Sequence, residues 1–156
     1  MSYRKSKTEK GATVITAQTE INAEKDKVWN VLRSIGEIKN FHPLIKNSYS
    51  STSQQNGLGA KRICELIPMG QMVEEVVEWN EGHSFVMQVI GGKMLPPYRY
   101  MRGEINLTEQ NGKTKVTFSF SYRLKYGFLG QIMNALIIKP QFKNAPPKYV
   151  NGLKEY

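Results

Sequence analysis

Alternating hydrophobic and polar residues along the middle of the chain predict an antiparallel β-sheet. The clearest strand covers residues 115–125, where apolar side chains alternate with polar ones: Val116, Phe118, Phe120, Tyr122 and Leu124 against Thr117, Ser119, Ser121 and Arg123. One face of this strand should be buried and the other wet. Asn111-Gly112 is a strong hairpin signal and joins the strand to a partner at 98–107. The inward residues of that partner would be Met101, Ile105 and Leu107.

Five further strands are predicted from β-rich composition bounded by turn residues. They cover residues 13–21, 46–53, 60–67, 71–79 and 83–90. Strands that follow one another through short turns form an antiparallel meander. A sheet of six or seven such strands with one polar face needs helices to cover the other face.

Helical spacing of apolar residues predicts a long helix that begins near Gly127. One broad face would carry Phe128, Leu129, Ile132, Met133, Leu136 and Ile137, and we expect that face to pack on the sheet. Pro140 and then Pro146-Pro147 interrupt the pattern, and proline inside a helix removes a hydrogen bond and clashes with the preceding turn. The helix should therefore kink or end between residues 139 and 145, and a further turn should start at Pro146-Pro147.

Two short helices are predicted between the first strand and the rest of the sheet. Asn22 can cap the first, whose apolar positions are Val28, Trp29, Leu32 and Ile35 and which Gly36 ends. The second, at 37–41, leads to His42 and Pro43. The element order predicts an α+β domain, a curved antiparallel sheet around a long C-terminal helix, with either a filled core or a cavity between them.

Length and composition are those of one globular domain. The chain has 156 residues, 40% of them hydrophobic, so we expect residues 1–11 to form a mobile basic leader and residues 12–156 a single ligand-binding domain. Cys64 is the only cysteine, which excludes an intrachain disulfide and a cysteine-based metal cluster. No apolar run is long enough to span a bilayer, and residues 1–11 lack a signal-peptide core, so we expect a cytoplasmic protein.

The formal net charge of +9 raises the question of an anionic partner. Much of it lies near the two ends of the chain, at Arg4, Lys5, Lys7 and Lys10 and at Lys139, Lys143, Lys148 and Lys154. Two basic ends around a mildly basic body are usually just solvated. We expect no nucleic-acid partner, and weak binding to anionic lipid or nucleic acid is the alternative.

The element order and several motifs resemble the START-like (SRPBCC, helix-grip) superfamily, in its polyketide cyclase/dehydrase branch. The motifs are A-x-x-x-x-V-W-x-V-L at 23–32, F-H-P at 41–43, G-x-G-A-x-R at 57–62 and E-x-V-x-E-W at 74–79, followed by the paired prolines at 96–97, G-F-L-G at 127–130 and G-L-K-x-Y at 152–156. The resemblance covers roughly residues 13–156. It implies a helix-grip fold, and many similar proteins look like binders without demonstrated chemistry. Similar proteins usually carry one continuous terminal helix, from which Pro140 and Pro146-Pro147 depart.

Candidate catalytic groups are few. His42 and His83 are far apart in sequence with no metal-ligand spacing, and a lone mid-strand cysteine such as Cys64 is usually a small buried hydrophobe. We expect no metal and no cofactor. Arg62 and Glu74 share strand parity with apolar neighbours, so adjacent strands could bring them together as a buried pair, or as a surface ion pair. In similar proteins the matching Arg and Glu positions often line or rim the cavity.

The remaining predicted site residues would face the space between sheet and terminal helix, or its mouth. They are Met87, Tyr100, Met101, Phe118, Phe120, Tyr122, Met133, Leu136 and Ile137. The same side chains could simply fill the core.

The preferred interpretation is a binder or carrier of a small hydrophobic or aromatic molecule. A polyketide cyclase or aromatase, with Arg62, Glu74 or Tyr100 assisting proton transfer, is the first alternative. A domain that binds a protein partner or a membrane surface through its basic ends is the second. The ligand and the oligomeric state stay open.

Overall fold

The computed structural model describes residues 9–156. The predicted basic leader, residues 1–11, therefore lies largely outside the described residues. Its last part contacts the body of the protein, because Arg123 donates hydrogen bonds to the Glu9 carboxylate at 3.2 Å and to the Lys10 carbonyl at 3.4 Å.

The described chain contains a curved antiparallel sheet of seven strands in the order β1-β7-β6-β5-β4-β3-β2. The strands are β1 (Thr13–Ile21), β2 (Ile45–Ser50), β3 (Lys61–Leu66), β4 (Gln71–Asn80), β5 (Ser84–Lys93), β6 (Tyr98–Gln110) and β7 (Lys113–Leu124). Every pair of neighbours is antiparallel, and all but the β1–β7 pair are consecutive in sequence. The predicted meander is confirmed, and β1 closes its far edge.

The β6–β7 hairpin is built as the sequence predicts. Asn111 and Gly112 have φ angles of 55° and 73°, the positive values that a type I′ turn requires at both central positions. Met101 lies opposite Tyr122 and Ile105 lies opposite Phe118. The predicted inward residues of β6 are all buried, which places the concave, apolar face of the sheet on that side.

Two short helices follow β1, as predicted. Helix α1 (Lys25–Leu32) buries Val28, Trp29 and Leu32, and a 3₁₀-helix (Ile35–Asn40) follows it. Glu24, not Asn22, is the N-cap of α1, because the Ala23 N–H already bonds to the Ile21 carbonyl in a turn.

The C-terminal helical region contains the predicted interruption. It comprises α2 (Gly127–Met133), a π-helical segment (Asn134–Ile138), α3 (Lys139–Phe142) and α4 (Ala145–Glu155). The π-helical segment comes directly before Pro140, where a wider turn relieves the clash of the proline ring with the preceding carbonyls. The break falls at Lys143 and Asn144, and prolines occupy the first turn of α4.

The apolar face predicted to pack on the sheet points to solvent instead. Phe128, Leu129 and Leu136 are 74%, 69% and 73% exposed, and Ile132 and Ile137 are also exposed. The side that packs on the sheet carries Gly130, Met133, Asn134, Ile138 and Phe142. The expectation for this face was therefore wrong for all of its members except Met133.

The helix that packs most closely on the sheet is α4. It contacts β1 and β7 and buries Pro146, Tyr149, Val150 and Leu153. Gly152 lets it approach, because a Cβ at that position would lie 2.0 Å from the Phe41 carbonyl oxygen. The segment before α4, residues 127–142, lies over the other half of the concave face. It contacts the sheet less than α4 does.

Candidate functional site

The concave face of the sheet is divided into a polar cluster and an apolar cluster. We define the polar cluster as His42, Arg62, Cys64, Glu74 and Tyr149, which lies under α4. The apolar cluster lies under the segment 127–142. It consists of Ile15, Met72, Val89, Leu95, Tyr98, Met101, Phe120, Tyr122, Leu124, Met133, Ile138 and Phe142.

Arg62 and Glu74 form a buried ion pair at the centre of the polar cluster. They lie opposite each other on β3 and β4, each is only 6% exposed, and the Arg62 Nε donates to Glu74 Oε2 at 2.7 Å. Arg62 also donates to the Ile35 carbonyl of the 3₁₀-helix at 3.0 Å, and the Cys64 thiol lies 3.6 Å from Glu74 Oε2. The sequence prediction that these two residues meet as a buried pair agrees with this geometry.

Tyr149 of α4 lies beside the pair. Its ring stacks on Phe118 with 4.4 Å between centroids, and it makes edge contacts with Phe41 and His42 at 5.3 Å and 5.5 Å. Burial raises the pKa of the Tyr149 hydroxyl, and the nearby Arg62 charge opposes that change only in part. The phenol is therefore neutral at pH 7.

The other titratable groups of this cluster are also held away from titration at neutral pH. Burial, together with the positive charges of Arg62 and Lys148, lowers the pKa of His42 to about 4. Burial raises the pKa of the Cys64 thiol to about 12. Burial is the largest single influence on the pKa of Arg62 and acts to lower it, but the charge and hydrogen bond of Glu74 together with Cys64 and Tyr149 raise that pKa overall. None of the side chains of His42, Arg62, Cys64 and Tyr149 is poised as a general acid or base at pH 7. The cluster ties β3, β4, the 3₁₀-helix and α4 together.

The apolar cluster contains one polar connection between the helical segment and the sheet. The Tyr122 hydroxyl donates to Asn134 Oδ1 at 2.5 Å, and Asn134 Nδ2 donates to Thr13 Oγ1 at 3.0 Å. Burial raises the pKa of Tyr122, so the hydroxyl keeps its proton. Asn134 thus joins β7, β1 and the π-helical segment at one point.

Two openings adjoin the apolar cluster. A small cavity of about 130 Å³ surrounds the Asn134 connection and is lined by Thr13, Tyr122, Gly130 and Asn134 among others. An open depression of about 1100 Å³ lies between the β5–β6 loop and the start of α2. Leu95 and Tyr98 line this depression and also belong to the apolar cluster, while Arg99 lines both openings.

The structure places the predicted site residues in three different environments. Met101, Phe120, Tyr122 and Met133 lie in the apolar cluster. Arg62 and Glu74 form the buried pair, and Met87 and Phe118 belong to the tightly packed core with α1 and α4. The third group lies outside the space between sheet and helical segment and consists of Tyr100, Leu136 and Ile137.

For these three residues the expectation is corrected. Leu136 and Ile137 are on the solvent side of the helical segment. Tyr100 is on the convex face of the sheet, where its hydroxyl accepts from Ser121 Oγ at 3.2 Å and the Arg102 guanidinium lies 5.3 Å from its ring centre. A bulge between Tyr98 and Tyr100 turns Tyr98 inward in its place.

Sequence reasoning missed Tyr149 of the polar cluster and Asn134, which joins the helical segment to the sheet beside the apolar cluster. The polar Asn134 interrupts an apolar helix and could have marked the packed side, because a buried amide needs partners. Tyr149 follows Pro146-Pro147, which predicts a new helix start but not its direction. Among residues 9–156 no group of three His, Cys, Asp or Glu side chains is placed to bind a metal ion. Within the same range no helix combines the length and the apolar composition needed to cross a bilayer.

Comparisons with known proteins agree with this architecture. The zhui aromatase/cyclase from Streptomyces sp. R1128 superposes with a TM-score of 0.75 at 10% identity, covering 92% of each chain. The major latex-like protein 151 of Panax ginseng gives 0.73 at 14% identity and covers 92% of this chain and 96% of its own. A START superfamily protein from Mycobacterium smegmatis gives 0.68 at 9% identity and covers 91% and 94%. At such identities the likeness establishes the fold.

The sequence itself matches a family model over most of its length. Residues 12–147 match the model described as "Polyketide cyclase / dehydrase and lipid transport". No curated protein matches the sequence. Because the family model spans well over half of the chain, the protein belongs to the polyketide cyclase/dehydrase and lipid-transport family.

Proposed function

We propose that this protein binds a small, largely apolar molecule between the sheet and the helical segment 127–142, in the apolar cluster. The observation that carries the proposal is the make-up of this cluster. It combines three methionines, Met72, Met101 and Met133, with the aromatic rings of Phe120 and Phe142. Methionine side chains adapt to irregular apolar shapes, and aromatic rings offer large contact surfaces.

Binding requires the helical segment to move outward. Pockets for small molecules measure about 300–1,000 Å³, whereas the cavity beside Asn134 has about 130 Å³. The segment is held by a narrow stripe of side chains and by the two hydrogen bonds of Asn134, while most of its surface is exposed. A shift of this segment breaks few contacts and enlarges the cavity.

The open depression supplies the entrance. Because Leu95 and Tyr98 line it and also pack in the apolar cluster, their displacement would connect solvent with the cluster. The Tyr122–Asn134–Thr13 connection adjoins the cluster, to which Tyr122 belongs, and offers hydroxyl and amide groups. The favoured ligand is therefore apolar with one hydrogen-bonding group.

An aromatase or cyclase activity is the second candidate. It is supported by the family and by Tyr122, a phenol that burial keeps protonated beside the small cavity. Tyr122 could donate a hydrogen bond to a substrate carbonyl in that position and stabilise the negative charge that develops on its oxygen. The earlier candidates suit this role less well, because Arg62 and Glu74 are buried against each other and Tyr100 is on the convex face. Under this alternative Tyr122→Phe abolishes turnover and retains binding.

Native mass spectrometry of the purified protein tests the proposal. An additional mass of a few hundred daltons, lost on denaturation, would support it. A fluorescent apolar probe, N-phenyl-1-naphthylamine, then locates the site. We expect Met133→Trp to fill the cluster and weaken probe binding at least tenfold, and Met69→Trp, at an exposed position, to leave it unchanged. Equal probe binding by both variants would contradict the proposal.

A further inference from the structure

The helical segment carries an exposed apolar surface that the fold does not use. We call it the apolar ridge and define it as Tyr126, Phe128, Leu129, Ile132, Leu136 and Ile137. The opposite side of the same segment provides its contacts with the sheet. A monomeric protein rarely exposes large apolar side chains side by side without a binding role.

Positive charge surrounds the ridge. From Gln110 to Lys154 the sequence contains no aspartate or glutamate. Lys125 precedes the ridge, and Lys139 and Lys143 follow it on the same segment, all exposed. The neighbouring depression adds Arg99 and the exposed side chain of Met94, and Tyr126 lines it as well. Apolar and cationic side chains thus share one side of the molecule.

One carboxylate also lines the depression. It belongs to Glu9, which forms an ion pair with Arg123 at 3.2 Å. The negative charge of Glu9 is therefore already offset by Arg123. In the sequence, residues 1–8 precede Glu9 and include Arg4, Lys5 and Lys7 and no acidic residue.

We propose that the apolar ridge docks on an anionic lipid surface. A helix that lies in a membrane interface has aromatic and aliphatic side chains on one side and lysines or arginines beside them, and its apolar side enters the boundary between headgroups and acyl chains. The ridge and its flanking lysines match that description. Each basic residue near an anionic membrane also adds attraction.

Charge argues against the other occupants of this surface. A second copy would bring two chains of formal charge +9 together through surfaces that carry the exposed Lys125, Lys139 and Lys143. A nucleic acid would pair with the lysines but would leave the aliphatic ridge in water. A lipid surface satisfies both features at once. Docking through the ridge does not require the ligand site proposed in the apolar cluster.

Vesicle sedimentation tests the docking. The full chain is mixed with phosphatidylcholine vesicles, with or without about a third of phosphatidylglycerol, at about 0.1 M salt. We expect binding to the anionic vesicles, and we expect Leu129→Glu/Leu136→Glu to weaken it at least tenfold. The matched control is Leu58→Glu/Met69→Glu, which adds the same charge at positions 64% and 59% exposed on other loops. It should weaken binding far less.

Two further experiments separate the contribution of the lysines from that of the apolar side chains. Lys139→Gln/Lys143→Gln should lower affinity by roughly 25-fold, since each basic residue near the surface contributes about a fivefold factor. To test whether the ridge inserts into the membrane, Leu136→Cys and the control Leu58→Cys are labelled with an environment-sensitive dye. Cys64 is buried and stays unlabelled. A blue shift at position 136 alone, on adding anionic vesicles, is expected. This readout does not depend on destabilising the protein.

Three results would overturn the docking proposal. Equal loss of binding in the ridge and control glutamate variants would mean that only net charge matters. A dye at position 136 that stays in water on vesicles would exclude insertion. A dimer in sedimentation equilibrium that Leu129→Glu/Leu136→Glu dissociates, together with no vesicle binding, would assign the ridge to a second copy. In each case the probe-binding test of the apolar cluster remains valid.

Discussion

Removing the negative charge of the buried ion pair should strongly destabilise the protein. In Glu74→Gln the Arg62 guanidinium keeps its bond to the Ile35 carbonyl but loses its only ion-pair partner among residues 9–156. The two side chains are only 7% and 8% exposed, so water cannot replace the lost charge. Breaking a buried pair on one side costs about 3–5 kcal/mol. A glutamine oxygen can still accept from Arg62, which places this variant near the lower end, about 3 kcal/mol.

Urea unfolding at pH 7, followed by tryptophan fluorescence, measures this loss. Arg62→Met/Glu74→Leu serves as the matched double variant, because it removes both charges and fills the site with apolar side chains. We expect it to be more stable than Glu74→Gln by about 1–3 kcal/mol, since no charge is left unpaired. Two results would contradict an unpaired buried charge as the cause. One is a loss of less than about 1 kcal/mol in Glu74→Gln. The other is a loss in the double variant that equals the sum of the losses in Arg62→Met and Glu74→Leu measured separately.

Three further predictions concern positions around the polar cluster. His42→Asn should flatten the pH dependence of unfolding free energy between pH 7 and 4.5, where the wild type loses roughly 2–3 kcal/mol through this residue; parallel curves for the two proteins would contradict the pKa of about 4. Gly152→Ala should cost about 1–3 kcal/mol in thermal or urea unfolding, because its Cβ would overlap the Phe41 carbonyl; Asn151→Ala, at the exposed neighbouring position, is the control and should change little. Cys64 should react with a thiol reagent only as fast as the protein opens, because its thiol is buried with a pKa of about 12; prompt reaction of the native protein would show that the cluster is accessible.

The sign of the His42 effect follows from its lowered pKa. Between pH 6.5 and about 4 the unfolded chain binds a proton at this position and the folded chain does not. Stability therefore rises with pH across that window and is lost as the pH falls toward 4. The contribution is fully present above pH 6.5.

The strands were predictable because each carries its own signal. In β7 the alternation from Val116 to Leu124 identifies the buried face, and Asn111-Gly112 fixes the hairpin. The interruption of the terminal helix was also predictable, because a proline acts on its own backbone at Pro140 and Pro146. The pairing of Arg62 with Glu74 followed from strand parity. Each of these signals is local.

The packing of the terminal segment was not predictable from its own pattern. An apolar stripe shows that a helix has a face to cover but does not show what covers it. Here Asn134 bonds to Tyr122 and Thr13 on two neighbouring strands, so the side of the segment that carries Asn134 packs on the sheet and Leu129 and Leu136 point outward. Tyr100 was misplaced against a local signal. It is adjacent to the inward Met101, so strand alternation alone puts it on the convex face, and the bulge changes only the face of Tyr98.

Methionine methyl NMR tests the central claim, the ligand site in the apolar cluster, most directly. The methionines are distributed so that each environment has a reporter: Met72, Met101 and Met133 in the cluster, Met87 in the packed core, and Met69 and Met94 exposed. On addition of N-phenyl-1-naphthylamine, we expect large shifts of the Met72, Met101 and Met133 methyl signals, with Met69 and Met87 unchanged. Shifts confined to Met94 or Met69 would place the probe on the surface and contradict a ligand site in the apolar cluster.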